Sequence, residues 1–299
     1  MTSAAVSSSQ IPTEERKRRP SAGVVALTVW GCLGILFLFF PVIIIVIYSF
    51  NAGSNLQIWE GFSIAPYIEA FTRPDLLAPV AVSFRAAFGS ALLSAALGTL
   101  GGIALARAQR SRWLPALVGV LGLVMVTPEI INAVSLLPWF VELGQKLGFP
   151  LFNDGIVRLI VGHSLFSSAV VTFVVRARVQ GLNPQLEEAA ADLGASPARR
   201  FFDITLPLIG PAVVSGALLS FTLSLDNTVL SSFISVAGSN SWPVYVWASV
   251  KSTLRPEIAA MSTLLLAVTI IVLVLAAVIL RSASKKSGAK NADLSSMLG

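Results

Sequence analysis

Long apolar runs separated by short polar breaks dominate the chain, and their lengths match a bilayer. Apolar residues run from Val24 to Phe50, Ala81 to Ala106, Leu114 to about Val141, Ile156 to Val175, Leu208 to Ala237 and Ile258 to Leu280. About 20 apolar residues cross a hydrocarbon core, so these runs predict six transmembrane helices. The expected fold class is all-α, a polytopic membrane protein. The first run far exceeds the roughly 7 to 15 residues of a signal-peptide core, and no small-x-small cleavage pattern follows it directly. It is expected to stay as span one, bent at Pro41. Span two is rich in Gly89, Ser90, Ser94, Gly98, Gly101 and Gly102, residues that let helices approach closely. Span three is interrupted by Pro128 and Pro138.

The polar breaks carry their own pattern. Asn51 to Pro79 reads as a loop broken by Pro66, Pro74 and Pro79, with Trp59, Phe62, Tyr67 and Phe71 expected as an interfacial belt. Shorter outer loops are expected at Glu142 to Asp154 and at Gly238 to Pro256, the latter carrying Trp242, Tyr245 and Trp247. These aromatics read as interface anchors or as a rim for a cation. Asn183 to Pro207, NPQLEEAAADLGASPARRFFDITLP, has the clearest helix punctuation. Asn183 caps, Pro184 starts, and Gly194 supplies a left-handed stop; Ser196 caps again, Pro197 starts, and Pro207 ends the run. Two short helices joined at Gly194 are expected. Read from punctuation alone, they are as well explained by an ordinary linker as by a functional loop.

Composition agrees with a membrane protein: 55% of the 299 residues are apolar and 12% charged. The net charge of +6 is no sign of nucleic-acid binding, because the positive residues gather at the ends of apolar runs. Fifteen of the 21 Lys and Arg fall in the N-terminal tail, the Arg107 to Arg112 turn, the Arg176 to Arg200 stretch and the C-terminal tail. By the positive-inside rule both termini and the Asn183 to Pro207 loop are expected in the cytoplasm. The expected organisation is a disordered polar tail over residues 1–22, a transmembrane domain over 23–281 and a basic tail over 282–299. The single cysteine, Cys32, excludes an internal disulfide framework.

Enzyme chemistry finds little support. The dipeptide Gly-Lys occurs nowhere, so no phosphate-cradling Gly-Lys-Ser/Thr loop is present and ATP hydrolysis by that route is excluded. His163 and Ser164 lie in one span, but adjacent helical residues do not face each other, and a lone membrane histidine reads as a packing or hydrogen-bonding residue. Neither paired cysteines nor His-Glu-x-x-His spacing suggests a metal. Chemistry therefore rests on the intramembrane acids. Glu129 follows Pro128, and Asp226 with Asn227 is flanked by Ser220, Thr222, Ser224, Thr228, Ser231 and Ser232. A carboxylate at mid-membrane costs on the order of 3 kcal/mol and must face protein or water. The residues alone leave a solute pathway and a purely structural hydrogen-bonding role equally open.

Glu188-Ala189-Ala190, Gly194, Ile204, Leu206 and Pro207 meet every fixed position of the EAA loop of ABC-importer permeases: EAA, three residues, G, nine residues, I, one residue, L, P. The chain resembles that family, and the resemblance implies that these residues, with Asp192 between them, dock onto a separate ATP-hydrolysing subunit. A narrower likeness lies in Thr127-Pro128-Glu129-Ile130, Ala133-Val134-Ser135-Leu136-Leu137, Leu186 to Ser196 and Ser220 to Asp226. These segments look like spermidine/putrescine permeases of the PotC type. The resemblance covers about Asn51 to Leu280 and implies a solute pathway through Glu129, Ser224, Asp226 and Asn227. It further implies two ATP-binding subunits, a second homologous permease subunit, an external solute-binding protein and an inner-membrane location. This chain would bind no cofactor, ATP being used by the partner. One departure stands out: PotC-type sequences often carry two consecutive acids where this chain has Asp226-Asn227. Related permeases move opines, amino-acid derivatives and organophosphonates, so these remain alternative cargoes. A secondary transporter or channel subunit would also carry intramembrane acids, but has no need of such a loop.

Overall fold

The computed structural model describes residues 22–108 and 110–297, with side chains described from residue 23 to residue 278 apart from Gln109. The tail expected over 1–22 lies outside the described residues but for Ala22. The first helix, α1 (Ala22–Tyr48), is apolar on every face and is unbroken, with Pro41 inside it. Its large side chains, Trp30 and Phe37 among them, are exposed, as suits a helix solvated by lipid.

The chain from Tyr48 onward forms a second unit. It contains α2 (Ala65–Thr72), α3 (Pro74–Arg107), α4 (Leu114–Val126), α5 (Glu129–Val141), α6 (Gly155–Gln180) and α7 (Gln185–Asp192). There follow α8 (Pro197–Arg200), α9 (Leu206–Leu225), α10 (Val229–Ile234), α11 (Trp242–Val250) and α12 (Pro256–Met297). The described residues hold no β-strand beyond an isolated bridge between Asn51 and Phe62. Five helices are long and apolar enough to span a bilayer, and a sixth span results if α4 and α5, bent by 101° at their junction, count as one.

Several boundaries differ from those expected, each for a local reason. The 51–79 segment is not loop throughout: Pro66 and Pro74 lie in the first turns of α2 and α3, where a missing N–H costs nothing, so they start helices. Span two accordingly begins at Pro74 and reaches 34 residues. The outer loop at 238–256 is largely helical, being α11. Arg281 to Met297 holds no proline, and α12 continues through it.

The α8 region also departs from expectation. A π-helical turn over Phe201–Thr205 joins α8 directly to α9, so Pro207 does not end a short helix but lies in the first turn of a long one.

Packing centres on α3, α6 and α9. A Cβ on Gly98 would sit 2.5 Å from the Val171 Cβ, and one on Gly102 would sit 2.8 Å from the Thr172 carbonyl oxygen, so these two glycines set how closely α3 approaches α6. Ile103, Val171, Val175 and Ile209 fill the centre of the three-helix contact. A second core, Val82, Ala86, Ala133, Phe140, Leu159, Leu230 and Ile234, lies beside the two helix breaks described below. At the end of α3 where it begins, Arg73 reaches Asp75 at 2.7 Å and Glu257 at 2.8 Å, tying the α2–α3 corner to the start of α12. The hydrogen bond that Arg73 donates to Asp75 raises the Arg73 pKa above its ordinary value.

Gly98→Val is expected to force α3 and α6 apart at a cost of about 1–3 kcal/mol. In detergent-solubilised protein its thermal midpoint should fall below wild type, whereas Gly122→Val, where a Cβ meets nothing within 4 Å, should not shift it.

Candidate functional site

Two helices break at the same level of the fold. Pro128 disfavours helical backbone at the residue before it, and Thr127 is extended with ψ 127°, so α4 stops and α5 restarts at Glu129. Glu129 thereby becomes the first residue of a helix, a place where the partial positive charge of the N-terminus favours a carboxylate. On the second broken helix, α9 ends with Asp226 as its C-cap and α10 resumes at Val229. Here the acid lies against the negative end of the helix dipole, which is unfavourable for helix stability. Asp226 and Asn227 thus occupy a gap between helices, where the sequence had suggested one uninterrupted span five.

The two gaps meet. Asn227 Nδ2 donates to Glu129 Oε1, and Asn227 Oδ1 accepts from the Ser231 backbone N–H at 3.1 Å. From α6, buried His163 places Nδ1 2.6 Å from Ser224 Oγ, in the last turn of α9, and Nε2 2.9 Å from Ser231 Oγ, in the first turn of α10. The histidine therefore staples both sides of the break. This matches its expected hydrogen-bonding role, and Ser164 instead donates to the Val161 carbonyl on its own helix.

A cavity of about 610 Å³ opens on this network, its wall including Glu129, Trp139, His163, Ser224, Asp226 and Asn227. The wall carries two acids and neither lysine nor arginine. Among the described residues the Asp226 carboxylate makes no hydrogen bond or ion pair; only its backbone oxygen accepts one, from Thr228. The four pathway residues expected from sequence are thus brought together, and His163 joins them. Asp226 also faces a second cavity of about 460 Å³ on its other side, walled by Trp242 and Trp247. Among the described residues no three His, Cys, Asp or Glu side chains converge to hold a metal ion.

The residues expected to dock onto a partner subunit sit at the opposite end of α9, whose 20 residues span about 30 Å. Ser196 Oγ accepts from Arg199 N at 3.3 Å, so the expected cap of α8 forms. At α7 the N-cap position is held by Pro184, with no side-chain cap bond, and Asn183, one residue earlier, accepts from Gln185 N at 3.0 Å through Oδ1. Gly194 has φ +79°, and the bonds Ala195 N to Ala190 O and Gly194 N to Ala191 O close a Schellman stop. Glu188, Ala189, Asp192 and Pro207 are exposed, while Ala190, Ile204 and Leu206 are half-buried. Leu193, 89% exposed, and Phe202, 62% exposed, put apolar surface beside them.

Sequence reasoning passed over Glu187. Its Oε1 receives Arg107 Nη2 at 2.6 Å and the buried Thr205 hydroxyl, so one oxygen ties the ends of α3 and α9 to α7. No spacing in the chain relates positions 107, 187 and 205; only the fold does.

Residues 98–286 match the family described as binding-protein-dependent transport system inner membrane component. The chain belongs to that family. The permease is 39% identical over 234 residues to the putrescine transport system permease protein PotI of Escherichia coli (strain K12), covering 78% of this chain and 83% of the relative. It is 38% identical over 245 residues to the spermidine/putrescine transport system permease protein PotC of Haemophilus influenzae, covering 82% and 92%. A bacterial ABC transporter involved in the import of the acidic polysaccharide alginate shares its fold, with a TM-score of 0.70 at 15% identity over 86% of this chain and 94% of that one. The MetNI methionine ABC transporter in an inward-facing form has a TM-score of 0.56 at 18% identity, covering 70% and 95%. This permease is therefore a multi-pass membrane component of a transport system, and its family is one of non-catalytic subunits.

His163→Leu in the permease strands the Ser224 and Ser231 hydroxyls in the interior and is expected to cost about 1–3 kcal/mol. The thermal midpoint in detergent should drop, and His163→Gln, which keeps one donor and one acceptor, should recover part of the loss.

Proposed function

We propose that this permease forms one half of the translocation pathway of an ATP-driven importer whose cargo is a polyamine, putrescine or spermidine. The observation that carries the reading is the meeting of two broken helices at a cavity with two carboxylates and no positive side chain. The C-terminal ends of α4 and α9 both abut the breaks, and helix C-termini attract cations. Asp226 has no partner among the described residues, which leaves its charge available to an ammonium group. The relatives named as putrescine and spermidine/putrescine permeases support the same cargo. An opine, amino-acid derivative or organophosphonate would bring its own negative charge to this wall, which makes those cargoes the weaker reading.

In this reading two ATP-binding subunits dock on the Asn183 to Pro207 loops of this chain and of a second, homologous permease, and an external binding protein delivers the solute. Both termini lie on the cytoplasmic side, as the distribution of Lys and Arg supports. Residues 23–281 make up the permease domain, flanked by tails at 1–22 and 282–299. Glu188, Ala189, Ala190, Asp192, Gly194, Ile204, Leu206 and Pro207 form or shape the docking surface. The mechanical link is α9: its π-helical start is continuous with α8, and its far end carries Asp226. A displacement of the docked loop is therefore delivered along a rigid helix to the cavity. Glu187 transmits the same displacement to α3 through Arg107.

Asp226→Asn and Glu129→Gln should each cut uptake of putrescine by reconstituted complex at least about tenfold, the scale of one lost charge contact, without reducing assembly. Normal uptake in both would make the acids structural. Gly194→Val, Glu188→Arg and Glu187→Ala should leave insertion intact but separate ATP hydrolysis from uptake; tight coupling in all three would remove the loop from the drive train.

A further inference from the structure

We infer that Asn227 is a specificity-determining residue that holds this chain's share of the pathway's negative charge at two and so shifts selection toward a dication over a trication. The inference rests on the polyamine reading above and sharpens it to a diamine.

The orientation of the Asn227 amide follows from its neighbours. The Ser231 backbone N–H, 3.1 Å away, can only donate, so the amide oxygen must face it. That leaves the NH₂ group directed at Glu129 Oε1. The arrangement is held from behind: Ser231 Oγ also lies 3.4 Å from Asn227 Oδ1 and is itself bonded to His163, which anchors on Ser224. Asn227 thus has one side that must accept and one side that meets a carboxylate. Asparagine satisfies both.

Aspartate at this position would still accept from Ser231, but its second oxygen would face Glu129. Two carboxylates at hydrogen-bonding distance repel unless a proton or a cation lies between them. The asparagine therefore does two things at once: it holds the Glu129 side chain in place, and it omits a third negative charge. What remains in the wall is Glu129 and Asp226, with neither lysine nor arginine to offset them. Putrescine, with two ammonium groups, matches that count. Spermidine brings a third, which on this chain's wall finds only hydroxyl and amide dipoles, and an ammonium facing a carboxylate is held more tightly than one facing dipoles alone. Trp139 and Leu230, on the same wall, offer apolar surface to the methylene chain between two ammonium groups.

The test uses the purified complex of this permease with its partner permease and ATPase, without the external binding protein, so that the binding protein's own selectivity does not enter. Bound radiolabelled putrescine is competed with unlabelled putrescine or spermidine, and uptake is measured separately with the binding protein present. Wild type should prefer putrescine by about tenfold or more. Asn227→Asp should shift the ratio toward spermidine by a similar factor, because the third ammonium bridges the new carboxylate and Glu129. Asn227→Ala should weaken both amines but keep the ratio, since the charge is unchanged. Equal affinities in wild type, or an unchanged ratio in assembled Asn227→Asp, would overturn the inference while leaving the polyamine reading in place. Neither binding nor uptake of either amine by wild type would overturn both.

Discussion

Where two helices break inside a membrane region, every freed backbone N–H and carbonyl needs a partner, because hydrocarbon offers none. This permease meets that constraint by placing its two breaks against each other. Asn227 spans them to Glu129, Oδ1 of Asn227 takes up a backbone N–H of α10, and His163 ties the last turn of α9 to the first turn of α10. The cavity exists because helices end there, and the helices can end there because polar side chains take over the bonding. The same groups that repair the backbone line the space, so structure and site are one arrangement.

Rigidity elsewhere serves that arrangement. Gly98 and Gly102 bring α3 and α6 to backbone contact, and Val171, Val175 and Ile209 lock α9 to the pair. A helix held this closely moves as a body. At its other end α9 passes through a π-helical turn into α8, and the Glu187 carboxylate collects α3, α7 and the start of α9 on one oxygen. The distance between loop and cavity, about 30 Å along α9, is thus crossed by continuous helix rather than by a chain of separate contacts.

Much of this was legible in the residues. The spans were visible as apolar runs, and the cap Ser196 and the stop at Gly194 were visible from residue type and formed as read, while the start of α7 lies one residue later than read, with Pro184 rather than Asn183 at its N-cap. These signals are local: a cap is decided within a few residues, and so is a left-handed glycine. The errors came from prolines. Pro66, Pro74 and Pro207 were read as breaks, yet each sits in a first helical turn, where proline is tolerated; which side of a proline is helical depends on what the neighbouring segments pack against. Pro128 was different, because nothing downstream could spare it, and α4 does end before it.

The sequence by itself determined the class of protein, the approximate spans, the turn at Gly194 and the positions of the two intramembrane acids, because hydrophobicity, helix punctuation and residue chemistry are properties of short stretches. Only the tertiary structure decided that Asp226 and Asn227 lie in a gap rather than within a helix, that His163 belongs to the site, that Glu187 rather than the loop motif alone ties three helices together, and that Asn227 faces Glu129. The contacts of His163 and Asn227 join residues 61 to 98 positions apart in the chain, and Arg107 and Thr205 meet on one oxygen of Glu187. Residue type limits what such groups can do when they meet. Helix packing decides whether they meet at all.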